Sequence, residues 1–180
     1  MSELSDRQDV GLRTSYGLEQ IAAAPSAALL AWGRQRGLRL NAILHAAFLQ
    51  ALVAEGGLPP QTTATTVVNL RQLAPPLPWE LMRLLRVCVD TPVTVDPEQP
   101  LAFLATQLHG QLQQLLQADA PLQALAAISA ALADNPSVVL GGLSFNGQLS
   151  FSSLQIEQQL SDQAAAAVMA AMKRRLLALL

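Results

Sequence analysis

Two histidines, one cysteine and a short run of cations are the residues of this 180-residue chain best suited by type to chemistry. A general base needs an imidazole that titrates near neutrality, oriented by an acidic partner and within hydrogen-bond reach of the proton it removes. His45 lies in Leu-His-Ala-Ala and His109 in Leu-His-Gly-Gln, on different expected helices and without an adjacent carboxylate. His45 therefore reads as a satisfied or half-exposed helix residue, and His109 as part of a solvated helix face. Cys88 alternates with valines in Arg-Val-Cys-Val-Asp, which suggests a small buried hydrophobe rather than a thiolate nucleophile. Ser144 sits in Gly142-Leu143-Ser144-Phe145-Asn146, which does not match the Gly-x-Ser-x-Gly elbow. Gly141-Gly142 precedes no helix, so it cannot form a phosphate or dinucleotide loop. Lys173-Arg174-Arg175 could touch anionic lipid, but a solvated face or an interface salt bridge is the preferred reading. No residue is assigned a catalytic role, and no metal-ligand set is present.

Composition narrows the classes. Hydrophobic residues make up 51% of the chain and charged residues only 13%, little charge with which to cover a surface. A protein partner or a homo-oligomer is expected to cover the remainder. With 11 basic and 13 acidic residues the net charge is −2, which offers no global attraction for nucleic acid. The single cysteine excludes an intrachain disulfide and a multi-cysteine zinc site, and fits a reducing cytoplasm. The polar start, MSELSDRQDVGLRTSYG, has no apolar h-region, so it is not a secretory signal. No transmembrane segment is expected either, because the apolar last helix is interrupted by Lys173, Arg174 and Arg175.

These residues must be positioned by an alternation of helices and strands. Residues 1–15 are expected to form a mobile tail, ahead of a single domain over 16–180 that opens on a short extended segment at 16–24. A helix should start at Pro25 or Ser26 and end at Gly37 in a left-handed cap. The next should be capped by Asn41 and run to Glu55, with Ile43, Leu44, Ala47, Phe48, Ala51 and Leu52 on one apolar face and Gly56-Gly57 ending it. Thr- and Val-rich residues 62–70 suit a strand, as does 84–95, where Pro92 points to an edge or a break. Asp96-Pro97-Glu98 reads as the start of a helix striped by Leu101, Leu104, Leu108, Leu112 and Leu115, and another apolar helix is expected at 121–133. Asn146-Gly147 lies between two strand-like runs and predicts a type I′ hairpin over 137–156. Ser161 or Asp162 should cap a closing helix. This order describes an α/β domain, a mixed β-sheet with packed helices.

The order also resembles the C-terminal half of acyltransferases of the chloramphenicol-acetyltransferase and condensation-domain superfamily. LRLNAILHAAFLQALVAEGG is similar to a family helix that follows a glycine. TTVVNLRQL resembles a family strand ending in hydrophobic-Asp-Leu-Arg, here with Asn69 in the acidic position. PEQPLAFLATQLHGQLQQLL is similar to the helix after the central strands, and NGQLSFSSLQIEQQLSDQAAAAVMAAMKRRL to the closing strand and helix. The resemblance implies one half of a two-half α/β enzyme in which an acyl thioester and an acceptor meet in a tunnel between the halves. It also implies that Arg71, with Asn69, stands where a strand end could reach a carboxylate across the two halves; a local surface ion pair is the alternative for Arg71.

The family's chemistry depends on a His-His-x-x-x-Asp-Gly motif whose second histidine takes a proton from the attacking acceptor, and that motif is absent. The family match therefore implies a half-domain that is catalytically incomplete alone, completed by a partner or by a missing N-terminal half. No cofactor is expected; an acyl thioester donor enters only with a catalytic half. The alternative is a non-catalytic module that binds a protein or an acyl chain. Trp79 and Met82, beside the proline-rich LAPPLPWE, are the interface candidates, with Trp79 folding back over the local core as the competing reading.

Overall fold

The structure, a computed structural model, describes residues 14–69, 86–117, 139–156 and 160–180. Along the chain these form β1 (Thr14–Ile21), α1 (Ala23–Gln35), α2 (Leu40–Ala54), β2 (Gln61–Asn69), β3 (Arg86–Thr94), α3 (Leu101–Gln117), β4 (Val139–Phe145), β5 (Gln148–Ile156) and α4 (Asp162–Leu177). The α/β character expected from the sequence is present. Its described strands divide between two antiparallel sheets, β1-β5-β4 and β2-β3.

The core is built around α2. Its sequence NAILHAAFLQALV carries no charge, and Ala42–Leu44 and Ala46–Leu52 are all buried. Apolar residues all round a helix are stable only when neighbours cover every side. Here α3 and α4 pack against α2, and β4 approaches it. Ala46, Ala47 and Ala51 are fully buried small residues that let those elements come close. The six residues expected on its apolar face are all buried. From α3, Leu101, Leu104 and Leu108 join this core, whereas Leu112 and Leu115 pack around Val89 under the β2-β3 ribbon.

Helix ends follow local chemistry. Gly37 (φ 67°) and Gly56 (φ 75°) adopt the left-handed conformation after α1 and α2. Leu38 N–H donates to Gly33 O at 2.9 Å and Gly37 N–H to Arg34 O at 3.1 Å, so the last carbonyls of α1 are satisfied as the chain turns. Gly57 and Gly56 do the same for Leu52 O and Val53 O. Ser161 caps α4, its hydroxyl accepting from Ala164 N–H at 3.3 Å. Asn146 (φ 48°) and Gly147 (φ 73°) make the expected hairpin turn, closed by the Phe145–Gln148 pair.

Four expectations are corrected. α1 begins at Ala23 rather than at Pro25 or Ser26, with Pro25 inside the first turn, where its missing N–H costs nothing. α2 is flanked by Arg39, without a side-chain cap, and Asn41 lies exposed inside its first turn. Asp96-Pro97-Glu98 forms a turn, Asp96 Oδ1 accepting from Glu98 N–H at 2.9 Å, and α3 starts only at Leu101. Cys88 is exposed, not buried, because the β2-β3 register turns Val89, Thr91 and Val93 inward and Cys88, Asp90 and Pro92 outward. Pro92 sits on β3, whose ribbon has no third strand among the described residues, as a proline in a ladder requires. The helix expected at 121–133 lies outside the described residues.

Candidate functional site

Neither histidine is built into a proton-transfer site. His45 projects from α2, half-buried, and the loss of hydration around it pushes its imidazole below the ordinary value of 6.5. It makes no hydrogen bond or ion pair with a described residue, so no group orients the ring. His109, half-exposed on α3, likewise makes no hydrogen bond or ion pair with a described residue. No group of three or more His, Cys, Asp or Glu residues able to hold a metal occurs among the described residues.

A cleft of about 580 Å³ lies between the segment 97–102, Gln50 of α2 and the end of α4. Gln50 is almost fully buried and its Nε2 donates to Asp96 O at 3.1 Å and Gln99 O at 2.9 Å. Arg175 Nη1 donates to Pro97 O at 3.0 Å. Both side chains clip the β3–α3 turn onto the helices, a role the sequence does not advertise because their carbonyl partners are 46 and 78 residues away. The cleft contains no nucleophile and no paired base, so its chemistry is that of holding a loop.

Among the described residues, the surface most unlike ordinary exterior is the outward face of β1-β5-β4. Antiparallel pairing puts directly opposed residues on one face. Ile21, Leu149, Phe151 and Ser153 point inward beneath α1 and α4, and Leu18, Leu143, Phe145 and Leu154 point outward. The outward four are 60%, 64%, 77% and 48% exposed, and Ser150 and Ser152 lie between them on the central strand. Four large apolar side chains on one face of a small sheet form a surface suited to cover by another structure. Sequence reasoning placed the interface at Trp79 and Met82, which lie outside the described residues, as does Arg71. Asn69 ends β2 on the outward side of the other ribbon, opposite Arg86. The missed signal was parity: in the hairpin, Leu143 and Phe145 stand opposite Ser150 and Gln148, on the face that Leu149 and Phe151 leave.

Residues 13–150, more than half of the chain, match the model of the phthiocerol/phthiodiolone dimycocerosyl transferase C-terminus. The chain belongs to this family. The fold is shared with polyketide synthase associated protein 5 from Mycobacterium tuberculosis at TM-score 0.72 and 15% identity, covering 91% of this chain and 52% of that one. A condensation domain that mediates chain release from the enacyloxin polyketide synthase superposes at TM-score 0.70 with 15% identity, over 94% of this chain and 41% of that one. For the trichothecene 15-O-acetyltransferase from Fusarium sporotrichioides the TM-score is 0.68 and the identity 11%, over 94% and 48% of the two chains. No curated protein matches by sequence. The chain thus has the fold of the C-terminal half of condensation-domain and chloramphenicol-acetyltransferase-like acyltransferases, and spans about half or less of each structure's length.

Proposed function

We propose that this chain acts as the C-terminal half of an acyl-thioester-dependent acyltransferase and needs a second half, carrying the His-His-x-x-x-Asp-Gly motif, to catalyse transfer. The observation that carries this reading is the apolar outward face of Leu18, Leu143, Phe145 and Leu154 on a family member spanning half of its structural relatives. A half-enzyme must present such a face to its complement, and burying it there gives the association its drive. The lack of an oriented base supports incompleteness. A half-buried imidazole without an acid to hold its tautomer is poorly placed to take a proton in an acyl-transfer transition state. On this reading Asn69 and Arg71 contact the complementary half, Trp79 and Met82 extend the interface, and the acyl thioester is bound only by the assembled pair. The reducing cytoplasm is the compartment that suits its lone exposed thiol.

The same face favours a second reading, a non-catalytic module that covers it with another protein, a second copy of itself or an acyl chain. Sedimentation velocity separates them. The chain is mixed with each polypeptide of its own genome that carries the histidine motif, beside the Leu143→Asp/Phe145→Asp variant. A stoichiometric complex with one of them, lost in the variant, is expected. A chain that self-associates through this face, or that binds neither any of those polypeptides nor a motif-bearing N-terminal half supplied in trans, would overturn the half-enzyme reading.

A further inference from the structure

The corner between α1 and α2 carries a charge pattern that α2 does not need for its own stability. Residues 20–54 contain Arg34, Arg36 and Arg39 and no aspartate or glutamate, a local +3 in a chain whose net charge is −2. All three arginines are exposed, and none is in an ion pair; the salt bridge found among the described residues joins Lys173 to Glu19. Arg34 and Arg36 at the end of α1 complement its dipole. Arg39 does the opposite. It flanks the N-terminus of α2, where a carboxylate or hydroxyl would stabilise the helix, and that helix has neither a side-chain cap nor an acidic residue in its first turn.

The corner is also held in place. The two helices turn by 106° across Gly37, whose left-handed conformation is fixed by the Leu38–Gly33 and Gly37–Arg34 backbone bonds. The Arg36 guanidinium stacks over Trp32, 4.3 Å from the ring centre, and its Nη1 donates to Trp32 O at 3.4 Å, leaving its other N–H groups free. A charge already positioned loses little freedom on binding. We infer that Arg34, Arg36 and Arg39 form a docking surface for an acidic segment of a partner protein. Positive potential from three guanidiniums adds there to the uncapped N-terminus of α2, and carboxylates complement both. An anionic membrane fits less well. None of the exposed large apolar side chains lies within α1 or α2, and the partly exposed Trp32 and Leu40 pack against the core, so the corner offers little to insert into a bilayer. This inference stands apart from the half-enzyme reading, which concerns the outward face of β1-β5-β4.

The test is fluorescence anisotropy with a labelled helical Glu/Ala peptide and its Gln/Ala counterpart, each titrated with the full chain at low salt. The Glu peptide is expected to bind and the Gln peptide not to, with affinity falling as salt rises. Arg34→Gln/Arg36→Gln/Arg39→Gln should weaken binding by about tenfold or more, and Arg34→Lys/Arg36→Lys/Arg39→Lys should retain most of it. Arg174→Gln, an exposed cation on α4, should change nothing. If the triple glutamine variant fails to fold, Arg39→Gln decides, because that side chain makes no bond in the fold; a loss of about threefold is expected. Equal binding of both peptides, or an unchanged affinity in these variants, overturns the inference. So does arginine-dependent binding to phosphatidylserine vesicles or inorganic phosphate without binding to the Glu peptide.

Discussion

The outward faces of the two sheets were built for different surroundings. On the β2-β3 ribbon, Gln61, Thr63, Thr65, Asp90 and Thr94 face outward, and Thr65 Oγ1 donates to Asp90 Oδ1 at 2.6 Å across the strands. That face satisfies its own polar groups and needs only water, apart from Val67 beside Cys88 near one end. On β1-β5-β4 the outward positions include Leu18, Leu143, Phe145 and Leu154, which gain nothing from water, interleaved with Gln20, Gln148, Ser150 and Ser152, where Gln20 Nε2 donates to Ser150 Oγ at 3.3 Å. Each sheet buries apolar residues on its inner face, Ala64, Val89 and Val93 on the ribbon and Ile21, Leu149 and Phe151 on the larger sheet, so the inner faces account for folding alone. Only the outward faces differ in kind, one mostly polar and the other carrying four exposed large apolar side chains.

The sharpest way to break this comparison lies within one sheet. Phe151→Ala, which empties a site beneath the helices, should cost about 3–5 kcal/mol in urea unfolding, whereas Phe145→Ala, on the opposite face, should cost less than about 0.5 kcal/mol. Equal losses would mean that the chain itself covers Phe145. Next in size is Gln50→Leu, which removes the donor shared by Asp96 O and Gln99 O and should destabilise by about 1–3 kcal/mol, with faster hydrogen exchange in the turn after β3. A neutral result would detach the ribbon's end from the central helix. Thr65→Ala removes a bond that solvent can replace, so its cost should stay under about 1 kcal/mol, as a face finished against water implies.

The smallest effect is one of pH. Burial holds the His45 pKa below its ordinary 6.5, so the unfolded chain binds the proton more readily than the folded one. The stability this contributes is complete above 6.5 and is lost as pH falls from there toward the folded value. Melting temperatures of the parent should therefore decline between neutral and mildly acidic pH more steeply than those of His45→Gln. Parallel profiles would show that the ring is solvated.

Much of the fold was legible because its signals are local. Asn146-Gly147 specifies a turn by its backbone alone, and the uncharged run 40–54 cannot stand in water as a helix and so had to be central. Cys88 was misplaced although the pattern was in view: valines at 87 and 89 put the residue between them on the opposite face. The start of α2 was not legible, since burial of Leu38 after the Gly37 turn, rather than the better cap at Asn41, sets where the helix begins. The clips made by Gln50 and Arg175 bind carbonyls, which no sequence pattern reports. The site itself was legible mainly as an absence, the missing histidine motif, while the apolar outward face emerged only once the strand register fixed which side each residue takes.

The central claim, that this chain is one half of an acyltransferase, is tested most directly by thiol release from an acyl thioester in the presence of an acceptor alcohol. The account predicts no release above background by the chain alone, unaffected by His45→Ala or His109→Ala. It predicts release when the motif-bearing half is added, and its loss with Leu143→Asp/Phe145→Asp. Robust transfer by the chain alone, abolished by replacing either histidine, would contradict it.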